Sequence, residues 1–235
     1  MIDFLDRKIK RGRLRQRVVN FYGFERPDIV LFLANMLTKR FRCKVLVIDN
    51  TGNNVFGFLI PVLRRNEKVC NVDGIDFSCG QFFCNEDYLT WYDVVLNFVG
   101  YNVLSNPYFE EIEHHSVLVT NIEPSAGEKC RSVLECINGR YTMVFVDWVD
   151  PAMPVNRVAV ELGLLPINMH KIFTLSYDAD SYGEFIKYVY YNEFEYGKLS
   201  GDLQYFLKYL ITDICPDAKL AVTKPRRGVI GEFDE

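Results

Sequence analysis

Apolar residues fall into two alternating rhythms along this chain. Short β-rich runs with no polar face occur at Val18–Val19–Phe21, Cys43 to Asp49, Tyr92 to Val99, Val117 to Asn121 and Tyr141 to Asp147. Such runs read as strands buried on both sides. Between the first two, Ile29 to Arg40 carries Ile29, Leu33 and Leu37 at four-residue spacing, with Leu31, Phe32 and Met36 beside them. That pattern, apolar over most of the circumference, is expected of a helix lying against a sheet. Ala126 to Ile137 keeps 3–4 spacing, and a helix through Glu161–Leu162 follows Pro151 and Pro154. Asn106 to His114 also reads as helical, which puts His114 and His115 at a helix end, placed to bond its free carbonyls. The final helical stretch ends at Ile214, before Pro216.

Strands and helices that alternate in this way predict an α/β fold, doubly wound, with a mostly parallel sheet and helices on both faces. The region from Arg17 to Asn54 is its organising βαβ unit. Less regular stretches are Val55 to Arg65, interrupted by Pro61, and Val69 to Cys84, where Asp73–Gly74 marks a turn between short β-like pieces. The expected organisation is a basic arm over residues 1–16, one α/β domain over 17–215 and a polar tail over 216–235.

Composition narrows the class. At 235 residues and 49% hydrophobic content the chain can bury one sizeable core. No run approaches eighteen apolar residues and no signal peptide is read at the start, so a cytoplasmic protein is expected, with peripheral attachment at the inner face of a membrane left open. The seven cysteines suit a reducing compartment, with Cys43, Cys130 and Cys136 read as small apolar residues. Cys70, Cys79 and Cys84 lack the spacing of a zinc site, and no metal is expected. A formal net charge of −4 argues against a generic nucleic-acid binder. The arm is the local exception: Arg7, Lys8, Lys10, Arg11, Arg13, Arg15 and Arg17 put seven positive charges into eleven residues. It is either a solvated tail or a contact for anionic lipid, nucleic acid or an acidic partner, with Ile2, Phe4, Leu5 and Ile9 as a small apolar face.

Three stretches carry a resemblance. LANMLTKRFRCKVLVIDNTGNN, YDVVLNFV and HKIFTLSYDADSYGEF resemble, in order, the helix–strand unit, the Walker B strand and the late adenine-side segment of the ParA/MinD family of deviant P-loop ATPases. The resemblance spans roughly Arg17 to Ile214. It implies a P-loop NTPase-like fold and a nucleotide site whose parts are eroded here. The family's KGGxGKT loop falls in FYGFERPD, which keeps Gly23 but has no lysine and no serine or threonine. Counting back from the helix, Arg26 stands at the lysine and Pro27 at the metal-binding hydroxyl. Phe24 is bulky, Glu25 brings negative charge, and Asp28 is placed to be the helix N-cap. Asp49 keeps the first aspartate of the family's DxD pattern, whereas Thr51 replaces the second and Asn97 stands at the Walker B acid. Gly23, Asp49 and Asn97 are expected together at the carboxyl edge of the sheet.

A loop of this kind works by wrapping phosphate in successive backbone N–H groups, neutralising it with lysine and holding Mg²⁺ through a hydroxyl. Without those parts the expectation is a pseudo-ATPase without a cofactor, with ATP–Mg as the alternative. The function implied is a scaffold or adaptor of the kind that positions pilus, secretion, conjugation or cellulose-synthesis machinery. A divergent ATPase and a DNA-partition factor using the basic arm are the alternatives. A protein partner or homodimer is expected. The aromatic group Tyr188, Tyr191, Phe194, Tyr196, Tyr205 and Tyr209 serves either as core packing or as the partner surface.

Overall fold

The computed structural model describes residues 17–60, 69–79, 89–103, 114–137, 139–150, 152–164 and 168–216. The basic arm, most of the polar tail, Cys84 and the helix read over Asn106 to His114 therefore lie outside the described residues, apart from His114 itself.

Eight strands form one sheet. In chain order the elements are β1 (Arg17–Gly23), α1 (Pro27–Asn35), β2 (Val45–Asp49), α2 (Val55–Leu59), β3 (Cys70–Val72), β4 (Ile75–Cys79), β5 (Val94–Gly100), β6 (His114–Thr120), α3 (Pro124–Leu134), β7 (Tyr141–Val146), α4 (Val155–Glu161), β8 (Met169–Leu175), α5 (Ala179–Tyr191) and α6 (Gly201–Ile214). The strand order is β3-β4-β2-β5-β1-β6-β7-β8. Every pairing is parallel except the β3–β4 hairpin at one edge. That hairpin turns at Asp73 and Gly74, both with positive φ (52° and 84°), as a tight two-residue turn requires.

The central strands β1 and β5 are buried on both faces, and apart from Asn20 and Asn97 their buried residues are apolar because both faces are covered. On one face Val19, Phe21, Val47, Leu96 and Phe98 pack with α1, α5 and α6. On the other, Leu118, Met143 and Phe145 pack with α3 and α4. α1 explains its own composition: every residue from Asp28 to Asn35 is buried, so the helix needs apolar side chains all round. Each fully buried Leu- or Phe-sized side chain contributes roughly 1.5–3 kcal/mol. Pro27 is its first residue, where the missing N–H costs no hydrogen bond. After Asn35 the helix widens into one π turn, Met36–Arg40.

Two expectations are corrected here. His114 and His115 are the first residues of β6, paired with Val18 and Val19 of β1, and are strand rather than helix residues. His115 Nδ1 lies 2.8 Å from Asp213 at the end of α6, tying that helix to the sheet. Cys130 is buried as expected, whereas Cys136 is exposed. Among the described residues no helix is long and apolar enough to cross a membrane.

Candidate functional site

Among the described residues seven parallel strands end at one edge, and loops leaving them form the site. β1 leaves through Gly23, whose φ is +88°. A Cβ there would lie 2.2 Å from the Val119 carbonyl oxygen, so only glycine fits. Phe24 then donates its backbone N–H to that same oxygen at 2.8 Å. Three residues, Phe24, Glu25 and Arg26, complete the turn before Pro27 opens α1.

This turn is shorter than a Gly-x-x-x-x-Gly-Lys-Ser/Thr loop. In a Gly-x-x-x-x-Gly-Lys-Ser/Thr loop the lysine follows the first glycine by six residues and the hydroxyl by seven. From Gly23 those positions fall on Ile29 and Val30, both 0% exposed inside α1. The structural register thus places buried apolar residues, rather than Arg26 and Pro27, at the lysine and hydroxyl.

Arg26 has a different occupation. Its Nε and Nη2 donate to the two carboxylate oxygens of Asp28 at 2.9 and 2.6 Å, and its Nη1 lies 3.6 Å from Asp147 at the end of β7. Burial opposes the charged guanidinium, but Asp28 and Asp147 outweigh it and hold the group protonated. Asp28 is not the N-cap: Arg26 holds that position without a side-chain cap bond, and Asp28 lies in the first helical turn. Pro27 at the first position shifts the helix start two residues ahead of Ile29, which places Asp28 inside.

The acid at the end of β2 is equally engaged. Asp49, 2% exposed, accepts from the Thr51 N–H (3.2 Å), the Thr51 hydroxyl (2.7 Å) and the Phe56 N–H (2.9 Å). It therefore fastens the start of α2 to the sheet. Glu25 reaches across the edge and accepts from Asn53 at 3.0 Å.

Asn97 is not at the edge. It pairs with Asn20 on β1, three residues short of Gly23, and with Ile48 rather than Asp49 on β2. Its amide donates to Asn20 (2.8 Å) and accepts from Asn50 (2.8 Å), forming a buried amide chain across three strands. Level with Asp49 stands Phe98, whose ring centroid is 5.3 Å from that of Phe56. A pattern match can slip by one residue in a uniform apolar run, and only the strand register reveals it. Gly23 and Asp49 share the edge; Asn97 lies below it.

The aromatic group divides. Tyr188 and Tyr205 are buried in the core, and Phe194, Tyr196 and Tyr209 pack against it half-buried. Phe194 lies 4.7 Å from Phe32 of α1, centroid to centroid. Tyr191 alone of the six is exposed, at 74%. As a surface the group is thus corrected, because Tyr188 and Phe194 pack toward Phe32 of α1 while Tyr205 and Tyr209 of α6 pack on Phe173 of β8. Tyr177 and Tyr182, which the aromatic stretch did not include, are exposed, as is Tyr190. Tyr182 and Tyr190 stand eight residues apart on α5, and the Tyr182 ring lies 6.1 Å from that of Phe185, at the border of the buried face.

Between the β1–α1 turn, the ends of β7 and β8 and the starts of α5 and α6 lies a cleft of about 230 Å³. Arg26, Asp147, Ser176, Tyr177, Asp178 and Tyr182 are among its walls. Asp178 also caps α5, accepting from the Ser181 N–H and hydroxyl at 2.7 and 2.6 Å. No group of His, Cys, Asp and Glu arranged for a metal ion occurs among the described residues.

No protein-family model matches the sequence, and no curated protein matches it. Solved structures do. MinD in the MinC:MinD cell division complex of Aquifex aeolicus superposes with a TM-score of 0.56 at 11% identity, covering 90% of this chain and 100% of the other. A plasmid partition protein of Borrelia burgdorferi bound to AMPPNP gives 0.53 at 12%, covering 86% and 99%. The septum site-determining protein MinD of Pyrococcus horikoshii OT3, complexed with Mg-ADP, gives 0.51 at 12%, covering 90% and 99%. The chain has the α/β fold of the ParA/MinD P-loop ATPases. At these identities the likeness is one of fold, so the chemistry has to be argued from this chain's own side chains.

Proposed function

We propose that the protein is a non-hydrolysing ParA/MinD-like scaffold or adaptor that binds protein partners and helps to position or assemble a bacterial membrane-associated machine. One observation carries this reading. The β1–α1 turn has three residues, and the lysine and hydroxyl positions measured from Gly23 are Ile29 and Val30 inside the core. Electrostatics support it. Glu25, Asp28, Asp49 and Asp147 set four carboxylates around the guanidinium of Arg26 on this edge, a poor environment for a triphosphate. Phosphoryl transfer depends almost wholly on positioning and charge stabilisation, and neither is provided for. In this reading the basic arm supplies contact with an anionic surface, and association proceeds through protein surfaces without nucleotide.

Titration of ATP–Mg²⁺ into the full chain, followed by calorimetry and by phosphate release, tests the proposal. No saturable binding is expected, and turnover stays at the buffer background for wild type and Arg26→Lys alike, since one restored part does not rebuild a unit. Phosphate release above background, lost in an Asp49→Asn variant that melts like the wild type, would establish a divergent ATPase instead.

A further inference from the structure

The cleft beside Arg26 has a charge and a rim that fit one kind of ligand. Arg26 sets one positive charge in its wall against Asp28, Asp147 and Asp178, a net of −2. Arg26 is itself a guanidinium seated on Asp28 and facing Asp147, so these carboxylates already accept that group. The Asp147 side chain remains 47% exposed beyond its 3.6 Å approach to Arg26. At the mouth Tyr177 and Tyr182 are 68% and 54% exposed, giving ring faces on which a cation or its alkyl stem can lie. From Tyr182 the side of α5 continues at four-residue spacing through Ile186, half-buried against the core, to exposed Tyr190, and Gly183 leaves open space beside it. The whole is an acidic cleft at one end of an apolar strip. Anions are repelled from it; a basic segment with interspersed apolar residues complements it.

Residues 1–16 of this chain have that composition. Arg7, Lys8, Lys10, Arg11, Arg13 and Arg15 are interleaved with Ile9 and Leu14 and preceded by Ile2, Phe4 and Leu5. The arm joins the fold at Arg17, one strand length from Gly23 and hence about 20 Å from the cleft side of the sheet. Lys10 and Lys8, seven and nine residues before Arg17, reach roughly 25 and 30 Å when extended, enough for the cleft side of the same sheet or for a neighbouring copy. We propose that the acidic, tyrosine-rimmed cleft between the β1–α1 turn, Asp147 and the start of α5 is a docking site for the chain's own basic arm, Met1–Gln16. Arginine and lysine side chains enter the cleft while the apolar residues lie along Tyr182, Ile186 and Tyr190. A docked arm withholds its charge from anionic surfaces, so membrane contact and self-docking exclude one another. This goes beyond the scaffold reading, and its test does not depend on nucleotide.

Carbodiimide cross-linking of the full chain at low ionic strength, followed by peptide mapping, tests the docking. The reagent joins a lysine amine to a carboxylate in contact with it. Lys8 or Lys10 is expected to be linked to Asp147 or Asp178 in preference to other acids. An equal mixture of ¹⁵N-labelled and unlabelled protein shows whether the arm comes from the same copy or a second one. Raising salt to about 0.5 M should cut the yield several-fold, because ion pairing near the surface is screened. Tyr182→Ser, at an exposed position, should leave melting unchanged and lower the yield about fivefold, the worth of one cation–π contact. Links scattered over other acids, or a yield indifferent to both salt and Tyr182→Ser, would overturn the proposal. Loss of the link on adding ATP–Mg²⁺, but not on matching the ionic strength with salt, would assign the cleft to nucleotide and overturn it likewise.

Discussion

Around β1, β2 and β5 the carboxyl edge is closed on itself. Asp49 is consumed by Thr51 and Phe56, Glu25 by Asn53, and Gly23 presses against the Val119 carbonyl. Around β7 and β8 the same edge stays open, with Asp147 half-exposed, Tyr177 and Tyr182 at the surface, and a cleft of about 230 Å³ between them. The closed half is where a P-loop fold holds phosphate. Its polar groups now serve the fold, and those free to meet a ligand have moved along the edge. A polar side chain at a sheet edge can stabilise or recognise, and its hydrogen-bond partners decide which.

Substitutions in the closed half should therefore cost stability. Gly23→Ala is expected to be the most damaging, at about 3 kcal/mol or more, since it combines an unfavourable φ with overlap on backbone. Urea denaturation measures it; a loss under about 1 kcal/mol would mean that the β1 exit can shift and that this half is less closed than described. Asp49→Ala strands the Thr51 and Phe56 donors and should cost roughly 2 kcal/mol. Near-neutral behaviour in the same assay would break the claim that Asp49 is structural.

Acid should act through the opposite end of the sheet. The hydrogen bond from His115, then burial acting against it and the charges of His115 and Arg17, leave Asp213 with a net pKa below its ordinary 3.8. A carboxylate with a depressed folded pKa adds stability that is present above its unfolded pKa and is lost as pH falls through the folded one. Stability should thus fall from about pH 4 downward, and Asp213→Asn should flatten that limb. Because Asp213 is partly exposed, the effect is smaller than those at Gly23 and Asp49. A limb unaltered by Asp213→Asn would remove this pair from the account. The smallest change is expected at Tyr191→Ala, within about 0.5 kcal/mol of wild type, against about 3–5 kcal/mol for Tyr188→Ala three residues away. Equal losses at the two positions would mean that α5 does not present one face to the core and another to solvent.

The sequence by itself determined the architecture, because apolar periodicity is a local property that a two-sided sheet imposes on every strand and helix. It also determined that the stretch FYGFERPD offers no lysine, serine or threonine to a phosphate or a metal ion. Position within that frame was decided only by the tertiary structure. Asn97 went from edge to interior because strand register, not strand identity, sets depth. His114 and His115 became the start of β6 because β1 offered Val18 and Val19 as partners. Asp28 moved inside α1 once Pro27 took the first helical position. Tyr188 and Tyr191 read alike in sequence, yet three residues turn a helix by about 300°, and the packing of α5 on α1 chose which ring was buried. Those choices depend on contacts between residues far apart in the chain, which no local pattern encodes.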